Sequence, residues 1–342
     1  MRWLLGILIA VTLLWFGYWY AGATVIQRQV DQIFAEAQAR GYTAQKTGAG
    51  VAGFPNRFDL TLEGLKLADP VTGAGYDAPF LQVFAMTWKP WHVIAALPEA
   101  QVIRLPGQEI GLTGLGLKAS LRAKPALDLP LAEARFAGQE IRLSSSQGWQ
   151  TGAVDLVLAL AQAQTGPADY ALGLAASGVQ IDPAFRSRLA ALALPGLPAS
   201  DLPETAGPLR ANILLHLTAP LDRQAAQRRP QLTGFDIGEL HLEWGAMTAE
   251  ASGRLTADPL GQAEGEILLT LTGWDRLPAL LVALGAVKPE IAPTVQSMLK
   301  ALAGESGDPA VLKLPLKFEA GQMSLGPFPL GPAPLLRLPA AG

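Results

Sequence analysis

Cysteine is absent from the 342 residues, which excludes disulfides, thiolate metal sites and cysteine nucleophiles. A chain without thiols is indifferent to redox compartment and so is compatible with export. Charge is scarce as well: Asp, Glu, Lys and Arg make up 16%, against about 25% in ordinary soluble domains. Basic residues number 26 and acidic residues 29, and no basic block is longer than Arg228-Arg229. Nucleic acid therefore finds no electrostatic footprint, and none is expected as a partner. Histidine is limited to His92, His216 and His241, without a His-x-x-x-His or Gly-x-Ser-x-Gly element. His216 and His241 fall on the polar phase of alternating segments, where a solvent-facing strand position is favoured over a metal ligand. Glu239 and Glu243 share that polar face with His241, which reads as an amphipathic strand rather than an acid-base pair. Gly111, Gly114 and Gly116 lack a P-loop lysine and lead into a strand, so they fit turns or bulges. No catalytic residue, metal or cofactor is expected.

Apolar residues, by contrast, reach 50%, and their longest run stands at the start. The segment 3–20 carries no charge, and as helix it rises about 27 Å, close to the roughly 30 Å hydrocarbon core of a bilayer. Trp3 and Leu14 belong to this membrane anchor, and Trp15, Tyr18, Trp19 and Tyr20 suit the water-lipid interface. The alternative is a cleaved secretory signal ending at Ala21-Gly22-Ala23, although the run exceeds a usual signal core and has a single basic residue, Arg2, before it. Both readings keep the amino terminus cytoplasmic and send the bulk across. The expected location is a bacterial inner membrane, single-pass, with the body in the periplasm.

Beyond the anchor, Ile26, Val30, Ile33, Phe34 and Ala37 recur at helical spacing, predicting a connecting helix over 25–41 that Gly41 closes. Most of the remainder alternates with period two. Phe58, Leu60 and Leu62 share one phase, and after Gly64 the phase slips to Leu65 and Leu67, the mark of a β-bulge. Similar alternation runs through 115–121, 154–160, 213–217, 240–244, 267–271 and 312–318, separated by turn signals such as Asp69-Pro70, Lys124-Pro125 and Asp258-Pro259. Two helical interruptions are expected, one capped by Asp182-Pro183, the other a hairpin at about 276–303 with Asp275 as its cap. The hairpin is read as a cover for one end or face of the sheet, with a lid or membrane-surface contact as the sharper alternative. The predicted fold is mainly β with a few helices: an N-terminal transmembrane helix, then a long, curled antiparallel sheet of two similar halves. The divisions are an anchor over 1–24, the connecting helix, a β-rich half over 42–194, a Pro/Gly-rich linker over 195–208 and a second half over 209–342. Phe58 and Phe235 each open a Phe-Asp segment that runs into alternating leucines, a hint that the halves are related.

Three stretches carry a resemblance: Gly53-Phe54-Pro55-Asn56-Arg57-Phe58-Asp59-Leu60, then Trp88-Lys89-Pro90, then Gly238-Glu239-Leu240-His241-Leu242-Glu243-Trp244-Gly245. They resemble the alphaproteobacterial envelope family catalogued as domain of unknown function 2125, across most of the chain after the anchor. That family offers no catalytic residue to carry over. Ala251-Ser252-Gly253-Arg254-Leu255 through Gly265-Glu266-Ile267 also resembles a strand-turn-strand pattern of AsmA-like envelope proteins. This second resemblance implies an elongated β-groove concerned with lipid between membranes.

Three function classes follow. The first is a lipid-handling scaffold, with Leu115, Leu117, Leu156, Leu158, Leu215, Leu242, Leu269 and Leu314 as candidate lipid-facing residues and membrane lipid as partner. The second is an adaptor that docks another envelope protein through edge strands. The third and least favoured is a periplasmic hydrolase. Trp88 and Trp91 flank Lys89-Pro90 beside His92, where packing at a proline turn competes with a surface knob or an interfacial membrane contact.

Overall fold

Residues 2–39 form one unbroken helix, and most of the described chain after it is antiparallel strand. The computed structural model describes residues 2–191, 203–285, 287–305, 308–325 and 328–337. Contacts divide the chain into two units, Met1–Pro125 with Phe136–Gly148, and Ala126–Arg135 with Trp149–Gly342. Of the expected linker, 195–202 lies outside the described residues, while Thr205–Ala206 is a short strand.

The first unit opens with α1 (Arg2–Ala39), which joins the anchor and the connecting helix without a break. Gly41 at φ +88 ends it, and the Tyr42 N–H returns to the Ala37 carbonyl, satisfying one of the last carbonyls of the helix. Strands follow as β1 (Thr43–Gln45), β2 (Gly48–Ala52), β3 (Arg57–Ala68), β4 (Gly75–Met86), β5 (Lys89–Ala96), β6 (Ala100–Leu105) and β7 (Gln108–Ala123). Strand β8 (Leu131–Ser145) begins in the second unit and ends in the first. Both β1 and β2 pair with one edge of β3, β3 pairs with β4, β4 with β5 and β6, and these two with β7.

A line of interruptions crosses these strands. Thr47, between β1 and β2, donates its N–H to the Glu63 carbonyl at 2.8 Å, beside Gly64. Gly64 has φ +57, Gly116 of β7 has φ +58 and Glu140 of β8 has φ +47. At each, buried positions stand three apart instead of two: Leu62 and Leu65, Gly114 and Leu117, Gly138 and Ile141. The left-handed residue reverses which side of the sheet the chain presents. The expected slip at Gly64 is therefore real, but the register to β4 continues unshifted from Glu63↔Phe80 to Leu65↔Ala78, so no residue is inserted. Gly116 likewise separates Leu115 from Leu117, which the sequence places on one phase: Leu115 is 43% exposed and Leu117 only 3%.

The second unit comprises β9 (Gln150–Gln162), β10 (Asp169–Ser177), β11 (Val179–Gln180), α2 (Pro183–Ala191), β12 (Thr205–Ala206), β13 (Leu209–Leu217) and α3 (Ala225–Arg228). It continues with β14 (Leu232–Trp244), β15 (Met247–Ala257), β16 (Ala263–Thr272), α4 (Leu277–Ala283), α5 (Ala292–Glu305), β17 (Val311–Glu319), β18 (Gln322–Leu325) and β19 (Phe328–Pro332). Strands β9, β10, β13, β14, β15, β16 and β17 pair successively, all antiparallel. Asp182 caps α2 as expected, its carboxylate accepting the Phe185 N–H at 2.9 Å. Asp275 does not cap α4: it lies inside a 3₁₀ turn, Trp274–Arg276, and Arg276 holds the cap position. Ile291 is half exposed, in the turn Pro289–Ile291 before α5 begins.

Candidate membrane and lipid contacts

In the first unit the anchor is not a free tether. An 18-residue window of α1 has mean hydropathy 1.8, long and apolar enough to cross a membrane. Trp3, Leu14 and Tyr20 are exposed along it. Midway along it, at the end of the apolar segment 3–20, aromatic side chains turn toward the sheet. The Trp15 indole N–H donates to the Pro55 carbonyl at 3.0 Å, the Tyr18 hydroxyl to the Thr87 carbonyl at 3.0 Å, and the Trp19 indole N–H to the Arg57 carbonyl at 2.7 Å. The sequence assigns these polar tips to headgroups and water; the structure gives them to protein carbonyls. Phe54 stands edge-on to both Phe16 and Trp19, with centroids 5.5 and 5.6 Å apart, and Trp19 stacks on Phe58. Gly22 completes the seat, since a Cβ there would lie 2.6 Å from the Phe58 ring. Trp88, on the turn between β4 and β5, is 51% exposed, while Trp91 is half-buried.

In the second unit strand register collects the candidate leucines. Following Cα partners, one row runs Leu156, Ala176, Leu209, Leu242, Ala249, Leu271, Leu312; the next runs Leu158, Leu174, Ala211, Leu240, Ala251, Leu269, Leu314. A third row contains Leu160, Leu172, Ile213, Ile237, Ile267 and Leu316, and a fourth holds Tyr170, Leu215, Phe235, Leu255 and Phe318. Directly paired residues share a face, so Leu156, Leu158, Leu215, Leu242, Leu269 and Leu314 all lie on one side of the sheet. Leu115 and Leu117 belong to the first unit and lie on opposite sides of their strand.

Parts of this face are covered. Leu280 and Ala283 of α4 and Leu189 of α2 pack on Trp244 and Met247, while Leu299 and Ala303 of α5 pack around Leu271, Leu312 and Leu314. Ala333 and Leu336 cover Leu255 and Phe318. The helical pair is thus the cover expected from the sequence. Leu158, Leu160, Leu172, Leu174 and Ile213 belong to none of these clusters; Leu158 is 36% exposed and the other four are half-buried.

The opposite face is charged. His216 lies between Asp169 (Nδ1 to Oδ1, 2.8 Å) and Asp236 (Nε2 to Oδ2, 3.3 Å), and Asp236 also accepts from Arg254. The bond to Asp169 is the main cause that raises the His216 pKa, assisted by Asp236 and opposed by partial burial. Asp169 is lowered chiefly by His216, and Asp236 chiefly by Arg254. His241 meets Glu243 at 2.9 Å and Glu250 at 3.4 Å, which raise its pKa in that order of importance. Among the described residues no group of three or more His, Cys, Asp or Glu could hold a metal ion.

Phe54, Phe58 and Thr87 carry the anchor seat, and sequence reasoning gave them no role. The Gly53–Phe58 motif marks the place, but only the fold brings it to Trp15 and Trp19. No curated protein and no solved structure matches the chain, so the AsmA-like resemblance of 251–267 stands on the residues alone. A family model described as "uncharacterized protein conserved in bacteria", domain of unknown function 2125, matches residues 19–334. With residues 19–334, nearly the whole chain, matched, the chain belongs to that family.

Proposed function

We propose that this protein is a non-catalytic, membrane-anchored β-scaffold of the bacterial envelope that shields lipid acyl chains beside the inner membrane, with its body in the periplasm. The observation that carries the reading is the partly exposed apolar area of the second unit, Leu158, Leu160, Leu172, Leu174 and Ile213, which stands outside the packed clusters among the described residues, beside parts of the same face that belong to them. A contiguous apolar area that stays partly accessible is suited to a binding surface. His216 and His241 are each engaged by carboxylates on the charged face, which supports a structural use for them.

The test is to purify the full chain from bacterial membranes in mild detergent and measure bound lipid by mass spectrometry. Stoichiometric phospholipid is expected, and Leu158→Asp is expected to lose it while circular dichroism keeps the β signal. Leu314→Asp, by contrast, buries a charge beneath α5 and is expected to unfold the unit. A folded protein without lipid but with one reproducible protein partner overturns this reading in favour of the adaptor.

A further inference from the structure

Two β-hairpin tips share the height of the anchor's aromatic end. The turn between β2 and β3 brings Phe54 and Pro55 to Phe16, Trp15 and Trp19, and the turn between β4 and β5 brings Thr87 to Tyr18. Along α1, Trp15 stands about 18 Å from Trp3, whereas the hydrocarbon layer is about 30 Å thick. Tilting the helix shortens its rise across the bilayer still further. If α1 spans, the level of Pro55 lies inside the far leaflet rather than above it.

The chemistry of the tips fits that depth. In hydrocarbon every backbone carbonyl needs a protein donor. Here the Gly53 carbonyl accepts from Arg57 N–H at 2.9 Å, Pro55 from Trp15, Asn56 from the Thr87 N–H and hydroxyl at 3.1 and 3.2 Å, Arg57 from Trp19, and Thr87 from Tyr18. Thr87 itself is buried. Three large apolar side chains project from the tips, Phe54, Met86 and Trp88, each between 42 and 51% exposed, beside one exposed polar side chain, Asn56. Lys89 is exposed directly after Trp88, on a stem long enough to reach phosphates from an embedded position.

We infer that the hairpin tips at 53–56 and 86–89 are inserted in the leaflet that holds the aromatic end of the apolar segment 3–20, with Phe54 and Trp88 as wedges among the lipids. The inference rests on α1 being the membrane span. Because the chain has no cysteine, single-cysteine variants need no background changes. Phe54→Cys, Trp88→Cys, Leu8→Cys and Val71→Cys would be spin-labelled in the full chain. Each would be reconstituted into phosphatidylethanolamine/phosphatidylglycerol vesicles, and label collisions with oxygen and with a water-soluble nickel chelate compared. Val71, 91% exposed, is the aqueous control: it lies beyond the far end of β3, whose 12 residues extend about 40 Å.

Labels at 54 and 88 are expected to favour oxygen several-fold over the label at 71, approaching the label at 8. If the label at 8 reads membrane while those at 54 and 88 match 71, tip insertion is overturned and the anchor stands. If the label at 8 also reads water, the span and the insertion fall together. Circular dichroism of each variant verifies the fold, and agreement between two separate tips removes dependence on any one substitution.

Discussion

His216 is the residue whose charge state the fold controls most plainly. Its folded pKa lies above the ordinary value of about 6.5, so the protonated ring between Asp169 and Asp236 contributes stability that is fully present below that pH. The contribution is lost as pH rises through the raised folded value. Urea unfolding of wild type and His216→Asn is expected to differ more at pH 6 than at pH 9, and a ring titration followed by NMR is expected to show a midpoint above 6.5. Asp169 and Asp236 act with opposite sign: their lowered values contribute stability above the ordinary carboxylate range and lose it as pH falls through the depressed values. His216 and His241 were legible as polar-phase residues from alternation alone. Their partners were not, because Asp169 and Asp236 are 47 and 20 positions away from His216 and meet it only through strand register.

Among elements, the line of left-handed residues separates what sequence can announce from what it cannot. At Gly64 the slip was readable, since a glycine interrupts the leucine phase. At Gly116 the leucines at 115 and 117 continue the pattern on paper, and only φ +58 turns them apart. At Glu140 no glycine marks the φ of +47 at all. A β-branched residue tolerates that conformation poorly, so Gly116→Val and Glu140→Val are each expected to destabilise by about 1–2 kcal/mol, with Glu140→Gly neutral or stabilising, measured by chemical denaturation. Leu117 covers the bare backbone of Gly114 and Gly138, where an added Cβ would stand 2.9 and 2.4 Å from its Cδ2. Leu117→Ala is expected to lose about 2–5 kcal/mol, the usual range for emptying a filled core site.

For the whole molecule, the expected halves and the observed units differ because a sequence break is a composition signal and a structural unit is a set of contacts. The Pro/Gly-rich stretch near 200 stands out in composition, yet the first unit already closes with Phe136–Gly148, after an excursion through Ala126–Arg135. Ile141 and Gly138 in that closing segment are among the neighbours of Leu117 and Gly114. A fragment ending at residue 148 is therefore expected to resist limited proteolysis longer than one ending at 125, and the reverse order would show that the segment is dispensable. The mainly β class, the antiparallel pairing, the apolar helix and the C-terminal helical pair were all legible, because each rests on local periodicity. The anchor seat was not, since it joins residues up to 69 positions apart.

That seat turns a tether into a keyed shaft. Trp15, Tyr18, Trp19 and Gly22 form a single stripe at spacings of three, one and three, and each is matched to a fixed point on two neighbouring turns or at the start of β3. A shaft held along one stripe can neither rotate nor slide against its hub. Where α1 spans a bilayer, the first unit then presents one flank to the membrane plane, and any sideways load on its sheet becomes a change in helix tilt rather than a swivel.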